Sequence, residues 1–382
     1  MKHIYLDNAA TTKIDPRVLD AMMPYLTESY GNPSSVHAIG RESKVMIEDA
    51  RDVIADFIGA RSSEIYFTSG GTEANNFAVK GLAFAHLGKK DHIITSPIEH
   101  SSVKDSLEYL QQRFGFNITY TPLNNYGIVD LDFINNNVSG KTLMVCVMYA
   151  NNELGVINDI TSIADIANEK GIFVHTDAVQ SLGKVKFNVK EIGCTTASFS
   201  SHKIYGPKGI GALYIKKDTP IDKLIHGGKQ ERDRRGGTEN IAYIAGFKKA
   251  VELMKENMEN DIAHYKKLKD RLTSKLKNEL GDKITFNSSE DTNGLNNIIN
   301  ISLNPAKVKI DSDALIVKMD MNGIAVSSGS ACTSGSVQPS HVLKAIGKDD
   351  ETAKSSMRIS FGRNNKEEDC DRFIEILKEI LK

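Results

Sequence analysis

A mostly parallel α/β sheet in a large domain, joined to a smaller α+β domain, is the fold that the sequence predicts. Short apolar runs rich in Ile, Val, Phe and Tyr alternate with longer amphipathic stretches, the pattern of a parallel sheet covered by helices. Past Gly281 that alternation gives way to strands mixed with helices. The length, 382 residues, suits two or three domains at about 150 residues each.

In chain order, the amphipathic stretch Arg41–Ile58 is the first helix and the apolar run Ile65–Phe67 the first strand. His92–Thr95 is the next strand, covered by the helix Ser102–Phe114. Leu143–Val147 is an unbroken apolar run of the kind buried on both faces. Helix Ile160–Glu169 leads to strands Gly171–His175, Ala197–Phe199 and, after a glycine-rich turn, Gly211–Ile215. Beyond Gly237 a long helix places Ile262, Tyr265, Leu268, Leu272, Leu276 and Leu280 on one stripe at spacings of three and four. A heptad coiled coil is the alternative, but the stripe is too short, so the helix is expected to bridge two domains. Their expected bounds are 15–255 for the large one and 1–14 plus 256–382 for the small one. No internal repeat or low-complexity tract interrupts this plan.

Hydrophobic residues make up 40% and charged residues 25%, ordinary for a soluble globular chain and wrong for a disordered one. Lys+Arg total 48 against 49 Asp+Glu, so the basic excess that a general nucleic-acid binder needs is missing. The run Lys229–Arg235 (KQERDRR) interleaves Glu231 and Asp233 with its bases, and reads as a subunit-interface or cofactor-phosphate segment rather than an RNA site. No run of about 18 apolar residues predicts a membrane span. Met1–Asp7 carries no signal-like apolar stretch, and a cytoplasmic protein is expected. Cys146, Cys194, Cys332 and Cys370 stand singly without CxxC spacing, so neither a zinc site nor a redox dithiol is indicated.

Polar residues cluster where the predicted strands end, the rim at which open parallel sheets bind ligands. Thr68–Thr72, Glu99-His100, Asn151–Glu153, Asp177 with Gln180, and Ser200–Lys203 each follow a strand, and five such groups together predict an active site. The Gly70-Gly71 turn before Glu73–Asn76 reads either as a helix N-terminus able to hold a phosphate or as a plain turn with Thr72 as N-cap. Lys203 is either a solvated rim charge or a chemical amine. With a free pKa of ~10.4 only about 0.04% is unprotonated at pH 7, so chemistry requires desolvation or an imine. Asp177, at the end of an apolar run, needs a cation or several donors if buried. A lysine imine together with an aspartate–pyridinium pair is the signature of pyridoxal phosphate (PLP).

Eight blocks now carry a resemblance. Tyr5–Thr12 (YLDNAATT), Gly31–His37 (GNPSSVH), Ser69–Asn76 (SGGTEANN), Asn151–Gly155 (NNELG), His175–Gln180 (HTDAVQ), Ser201–Gly211 (SHKIYGPKGIG), Arg234–Asn240 (RRGGTEN) and Ser327–Ser334 (SSGSACTS) span nearly the whole chain. In combination and order the sequence resembles the cysteine desulfurases of the NifS/IscS family. The resemblance implies a PLP-dependent transferase of fold type I, a homodimer in the aminotransferase class V group.

Carried over residue by residue, the resemblance makes Lys203 the amine that binds PLP and Asp177 the partner of its ring nitrogen. His100 stacks on the ring and moves protons, and Gln180 bonds the phenolic oxygen. Gly71, Thr72, Ser200 and His202 belong to the phosphate site, with Thr238 from the neighbouring subunit. Asn152 counts with both cofactor and substrate, and Asn32 and Arg358 with the substrate, whose carboxylate the guanidinium grips.

Cys332 also stands out on chemical grounds. A lone cysteine is more often a small buried hydrophobe, which is the reading for Cys146 and Cys194, while Cys370 lies in a charged C-terminal helix. Cys332 is instead flanked by Ser-Ser-Gly-Ser-Ala and Thr-Ser-Gly-Ser, a segment without an apolar anchor, expected as an exposed loop at about 325–340. With an ordinary pKa of ~8.5, only about 3% of such a thiol is thiolate at pH 7, so a base such as His100 is expected to assist. The implied reaction takes sulfur from L-cysteine, leaves a persulfide on Cys332 and releases L-alanine. Its expected acceptor is a protein such as an iron–sulfur scaffold. A selenocysteine lyase or another class V PLP enzyme is the alternative on the same fold; a catalytically silent sulfur-relay partner is the alternative from another class.

Overall fold

A computed structural model of the chain describes residues 3–288, 294–308, 312–328, 332–333 and 336–382. Its centre is a seven-stranded sheet. After a short strand β1 (Ile4–Tyr5) come β2 (Ile65–Thr68), β3 (His92–Thr95), β4 (Asn117–Tyr120), β5 (Thr142–Cys146), β6 (Phe173–Asp177), β7 (Thr196–Ser200) and β8 (Gly211–Ile215). The last seven lie in the order β2-β8-β7-β6-β5-β3-β4. Only β8 runs against the others, pairing antiparallel with β2 and β7, while the remaining pairs are parallel.

Alternation along each strand divides the core between the two faces. Ile65, Phe67, Val145, Val174, Ala197 and Phe199 face one apolar layer; Tyr66, Ile93, Met144, Cys146 and Leu213 face the other. The predicted strands are present with small shifts. β6 starts at Phe173, because Gly171 turns at φ 62°, and it runs on to include Asp177. β4 was not anticipated: NITY is a half-exposed edge strand with no continuous apolar run.

The long helix, Ile241–Leu280, has 40 residues and is about 60 Å long at ~1.5 Å per residue. Its first part sends Ile244, Phe247, Val251 and Met254 into the core of the large sheet. Its last part sends Tyr265, Leu268, Leu272, Leu276 and Leu280 into a second core, and Ile262, the first residue of the expected stripe, is half-buried between them. That second core packs on an antiparallel sheet of β9 (Ile284–Phe286), β10 (Ile298–Leu303) and a later strand, and on the C-terminal helix Glu367–Ile380. β11 (Ile324–Ala325) pairs in parallel with β1, and β12 (Cys332–Thr333) pairs with β13 (Ser336–Val337). β14 (Ser356–Ser360) completes the three-stranded sheet. Among the described residues no helix is long and apolar enough to cross a membrane.

The β2 edge of the large sheet is closed by side chains instead of another strand. On β2, Phe67 N–H donates to Glu231 Oε2 at 2.8 Å, and Ile65 C=O accepts from Arg51 at 2.8 Å. Arg51 in turn donates to both Glu231 oxygens at 2.6 and 2.7 Å, and both residues are buried. This pair holds a segment of three consecutive left-handed residues, Glu231, Arg232 and Asp233. Other bases of the run are also committed within the chain, Arg232 to Glu48 and Arg235 to Glu73. Glu231→Ala strands a buried guanidinium, so it should cost about 3–5 kcal/mol in denaturant unfolding, whereas Arg51→Met with Glu231→Met should recover much of that loss. A Glu231→Ala loss below about 1 kcal/mol, the size of a surface pair, would contradict the edge-closing role.

Candidate active site

The carboxyl ends of β3, β5, β6 and β7 and the turn after β2 open on one cavity of about 320 Å³. Ten of the expected residues line it: Gly71, Thr72, His100, Asn152, Asp177, Gln180, Ser200, His202, Lys203 and Arg358. Asn32 and Thr238 do not; both are exposed, and Asn32 accepts from Ser34 N–H at 2.9 Å in its own turn. Of Cys332 the backbone forms the hairpin of β12 and β13, and its side chain lies outside the described residues. The other three thiols are buried. Burial pushes Cys194 and Cys370 up to about 12 and drives Cys146 well above its ordinary value, so none is a ready nucleophile.

Asp177 ends β6 as a buried carboxylate with both oxygens engaged. Oδ2 accepts from Asn75 Nδ2 at 2.7 Å and Oδ1 from Val179 N–H at 2.9 Å. Asn75 Oδ1 faces His175 Nε2 at 3.1 Å, and His175 Nδ1 meets Thr196 Oγ1 at 2.9 Å. Burial lowers the His175 pKa to about 4, so this ring is neutral and donates through Nε2 to the amide oxygen. The Asn75 amide also donates to Ser102 Oγ at 2.8 Å. The Ser102 hydroxyl then donates to His100 Nδ1 at 2.8 Å, with Ser102 N–H adding a second bond to the same nitrogen at 3.1 Å. Nδ1 is therefore the acceptor, and the Nε2 edge of the exposed His100 ring is left for the cavity.

Lys203 follows β7 in the short turn Ser201–Lys203. Its Nζ donates to the carbonyls of Ala9 and Ala10 at 2.6 and 2.7 Å, so the N-terminal segment lies against the lysine. Burial, then the Arg358 charge, lowers its pKa to about 8, against the opposing pull of Asp177 and Asp7. The free amine is thus hundreds of times more abundant at neutral pH than for an exposed lysine. Arg358, on β14, donates to Asp7 at 2.7 Å and to the Asn152 carbonyl at 3.1 Å, and its buried Nε has no partner among the described residues. Beneath the rim, Glu99 accepts from Met148 N–H at 2.8 Å, and burial raises its carboxyl well above the usual range.

These residues fit pyridoxal phosphate. The helix Gly71–Ala85 opens at the cavity, with Thr72 in its first turn and not at the N-cap, the position that Gly70 takes. At Gly71 a Cβ would come within 2.7 Å of Val179, so only glycine lets that backbone approach. Free helix N–H groups, Thr72, Ser200 and His202 suit a phosphate, and the desolvated Lys203 suits an aldehyde. Asn75, Ser102 and His175, which hold this set in place, were not singled out from sequence. A polar Thr72/Asn75/Asn76 stripe at spacings of three and four in the first turns of a mostly apolar helix was the available signal.

The aminotransferase class-V family model matches residues 4–373. Cysteine desulfurase IscS of Methanosarcina thermophila is 45% identical over 380 residues, covering 100% of this chain and 92% of that protein. Cysteine desulfurase IscS of Dictyoglomus turgidum is 44% identical, covering 100% and 95%. Among solved structures, a NifS-like protein matches with a TM-score of 0.91 at 38% identity over 99% of both chains. A structure of SspA in complex with cysteine matches with a TM-score of 0.79 at 35% identity, over 94% of this chain and 98% of that one.

Arg358→Met removes a cation that lowers the Lys203 pKa and frees Asp7, which raises it. The pH midpoint for labelling Lys203 with an amine reagent, read by peptide mass in the cofactor-free protein, should therefore rise. A midpoint that stays or falls would contradict the assigned field.

Proposed function

The chain belongs to the aminotransferase class-V family, and from that premise we propose that it is a PLP-dependent cysteine desulfurase. It removes sulfur from L-cysteine, releases L-alanine and keeps the sulfur as a persulfide on Cys332. The observation that carries this reading is one cavity that brings a desolvated lysine together with a buried aspartate and a buried arginine, in a chain similar along its whole length to named cysteine desulfurases.

When bound, PLP supplies an electrophilic carbonyl and an electron-poor ring that acidifies the substrate's carbon acid and loosens its Cβ–S bond. Lys203 is the amine that holds it. The Gly71 backbone, Thr72, Ser200 and His202 take the phosphate, Asp177 the ring nitrogen, and Gln180 with Asn152 the polar ring substituents. His100, whose Nε2 edge is turned to the cavity through Ser102, and Lys203 move protons on and off the substrate carbons. Arg358, which lines the cavity, meets the substrate carboxylate. The Cys332 thiolate takes the sulfur: the Cβ–S bond breaks, an S–S bond forms, and the protons that complete alanine come from the thiol and the acid–base groups. No outside oxidant or reductant enters.

The active form is a homodimer. Leu19, Met23 and Leu26 expose one apolar face of the helix Pro16–Thr27, and Tyr30, Val36, Ile39 and Val45 are further exposed apolar residues nearby in sequence, surface that a second copy would cover. Thr238, exposed and outside its own cavity, is assigned to the phosphate site of the partner subunit. Within a dimer the large unit is residues 15–255 and the small one 1–14 with 256–382. The sulfur passes to an acceptor protein of the iron–sulfur scaffold kind.

Protein reconstituted with PLP should be yellow, sediment as a dimer and form alanine from L-cysteine. Lys203→Ala should lose both the visible band and alanine formation, and a variant retaining the band would place the cofactor on another lysine. Alanine formed from selenocysteine but not from cysteine would overturn the desulfurase reading in favour of a lyase.

A further inference from the structure

Lys184 is a buried lysine that the chemistry above leaves unused. It sits one turn beyond Gln180, and its Nζ donates to the Gln180 main-chain carbonyl at 3.1 Å and to Gln180 Oε1 at 3.3 Å. At the other end of the same amide, Gln180 Nε2 donates to the Ala9 carbonyl at 2.9 Å. That carbonyl is also one of the two that accept from Lys203 Nζ.

The chemistry of these partners allows one amide orientation only. The Ala9 backbone carbonyl accepts and cannot donate, so it requires Nε2 on its side, while the Lys184 nitrogen, which carries N–H donors whether charged or neutral, meets the oxygen side. Flipping the amide would set N–H groups against Lys184 and two oxygens against each other at Ala9. The amide is thus locked with its oxygen inward, and Nε2 keeps a second N–H beyond the one given to Ala9. Gln180 lines the cavity, as do Ala9 and Lys203, so that N–H is the group available to an acceptor there.

Resting on the PLP reading above, we propose that Lys184 is a positioning residue: it locks the Gln180 amide so that an N–H, not an oxygen, meets the phenolic oxygen of the cofactor held on Lys203. The charge of Lys184 is costly where it lies. Burial and the Lys203 charge lower its pKa to about 7, and it in turn helps to depress His202. A buried cation that folding would sooner lose, kept against the active-site amide, points to a role in the site more than in stability.

The test uses the PLP-loaded protein and the pH dependence of its visible band. Lys184→Met removes the donor while keeping the side chain's length and apolar stem. The locked N–H stabilises the deprotonated phenolic oxygen, so its loss should raise the midpoint of the absorbance titration by about one pH unit. Lys184→Arg, which still donates and cannot accept, should restore the midpoint to within a few tenths of a unit. Gln180→Ala should raise it similarly, and Lys184→Met added to Gln180→Ala should move it no further. Thermal unfolding of Lys184→Met should be no easier than for the natural protein, because a buried ammonium has been exchanged for an apolar group. An unmoved midpoint in Lys184→Met, or a full additional shift in the double variant, would overturn the proposal. A natural protein that shows no visible band with PLP would instead overturn the reading of its function.

Discussion

A buried carboxylate with both oxygens committed, Asp177, is the fixed point from which the rest of the site is arranged. A charge removed from water at the end of a parallel strand must be compensated, and here Asn75 and the Val179 N–H do so in this chain. Asn75 extends the constraint in two directions. Through His175 and Thr196 it reaches β6 and β7, and through Ser102 it sets which nitrogen of His100 faces the cavity. Three elements far apart in sequence are thereby held in one orientation, which a site requiring opposed acid, base and cation needs before any ligand arrives.

The field of the cavity is local. The chain as a whole is nearly neutral, yet Lys203 and Arg358 line one cavity with Lys184 buried close to Lys203, opposed chiefly by Asp177 and Asp7. Burial first, and then repulsion from neighbouring cations, is why Lys203 stands near 8 and His202 near 4. The same surplus suits a phosphate and an amino-acid carboxylate. The N-terminal segment contributes its backbone: Ala9 and Ala10 give carbonyls to Lys203, and Ala9 also gives one to Gln180. It is anchored by Ala9 N–H on Ser360 Oγ and by Thr12 on the His202 carbonyl.

Much of this was legible in the sequence, for physical reasons that differ by residue. Asp177, His100 and Lys203 could be found because strand ends can be read from apolar runs, and a parallel sheet gathers its strand ends at one rim. Roles at Arg358, Gln180 and Thr238 came only through family resemblance, since an arginine in an edge-like strand or a glutamine in a turn carries no chemical signal alone. Partners such as Asn75 with Asp177, 102 positions apart, were not legible because long-range hydrogen bonds leave no periodic trace. Glu231 hid for a related reason. Within KQERDRR it looked like an interleaved surface acid, whereas it is buried against Arg51 across the chain. Lys184 likewise sits in an ordinary-looking turn, and its environment emerges only once Ala9 folds over Gln180.

Among the four cysteines, the account rests on one. Single-turnover mass spectrometry tests it most directly: PLP-loaded protein is mixed with L-cysteine, trapped with an alkylating reagent, digested and mapped, with alanine measured in parallel. The account predicts one added sulfur on the peptide carrying Cys332, in step with alanine, while the peptides of Cys146, Cys194 and Cys370 stay unchanged. Alanine formed with Cys332 unmodified, or with the sulfur on a buried cysteine, would contradict it.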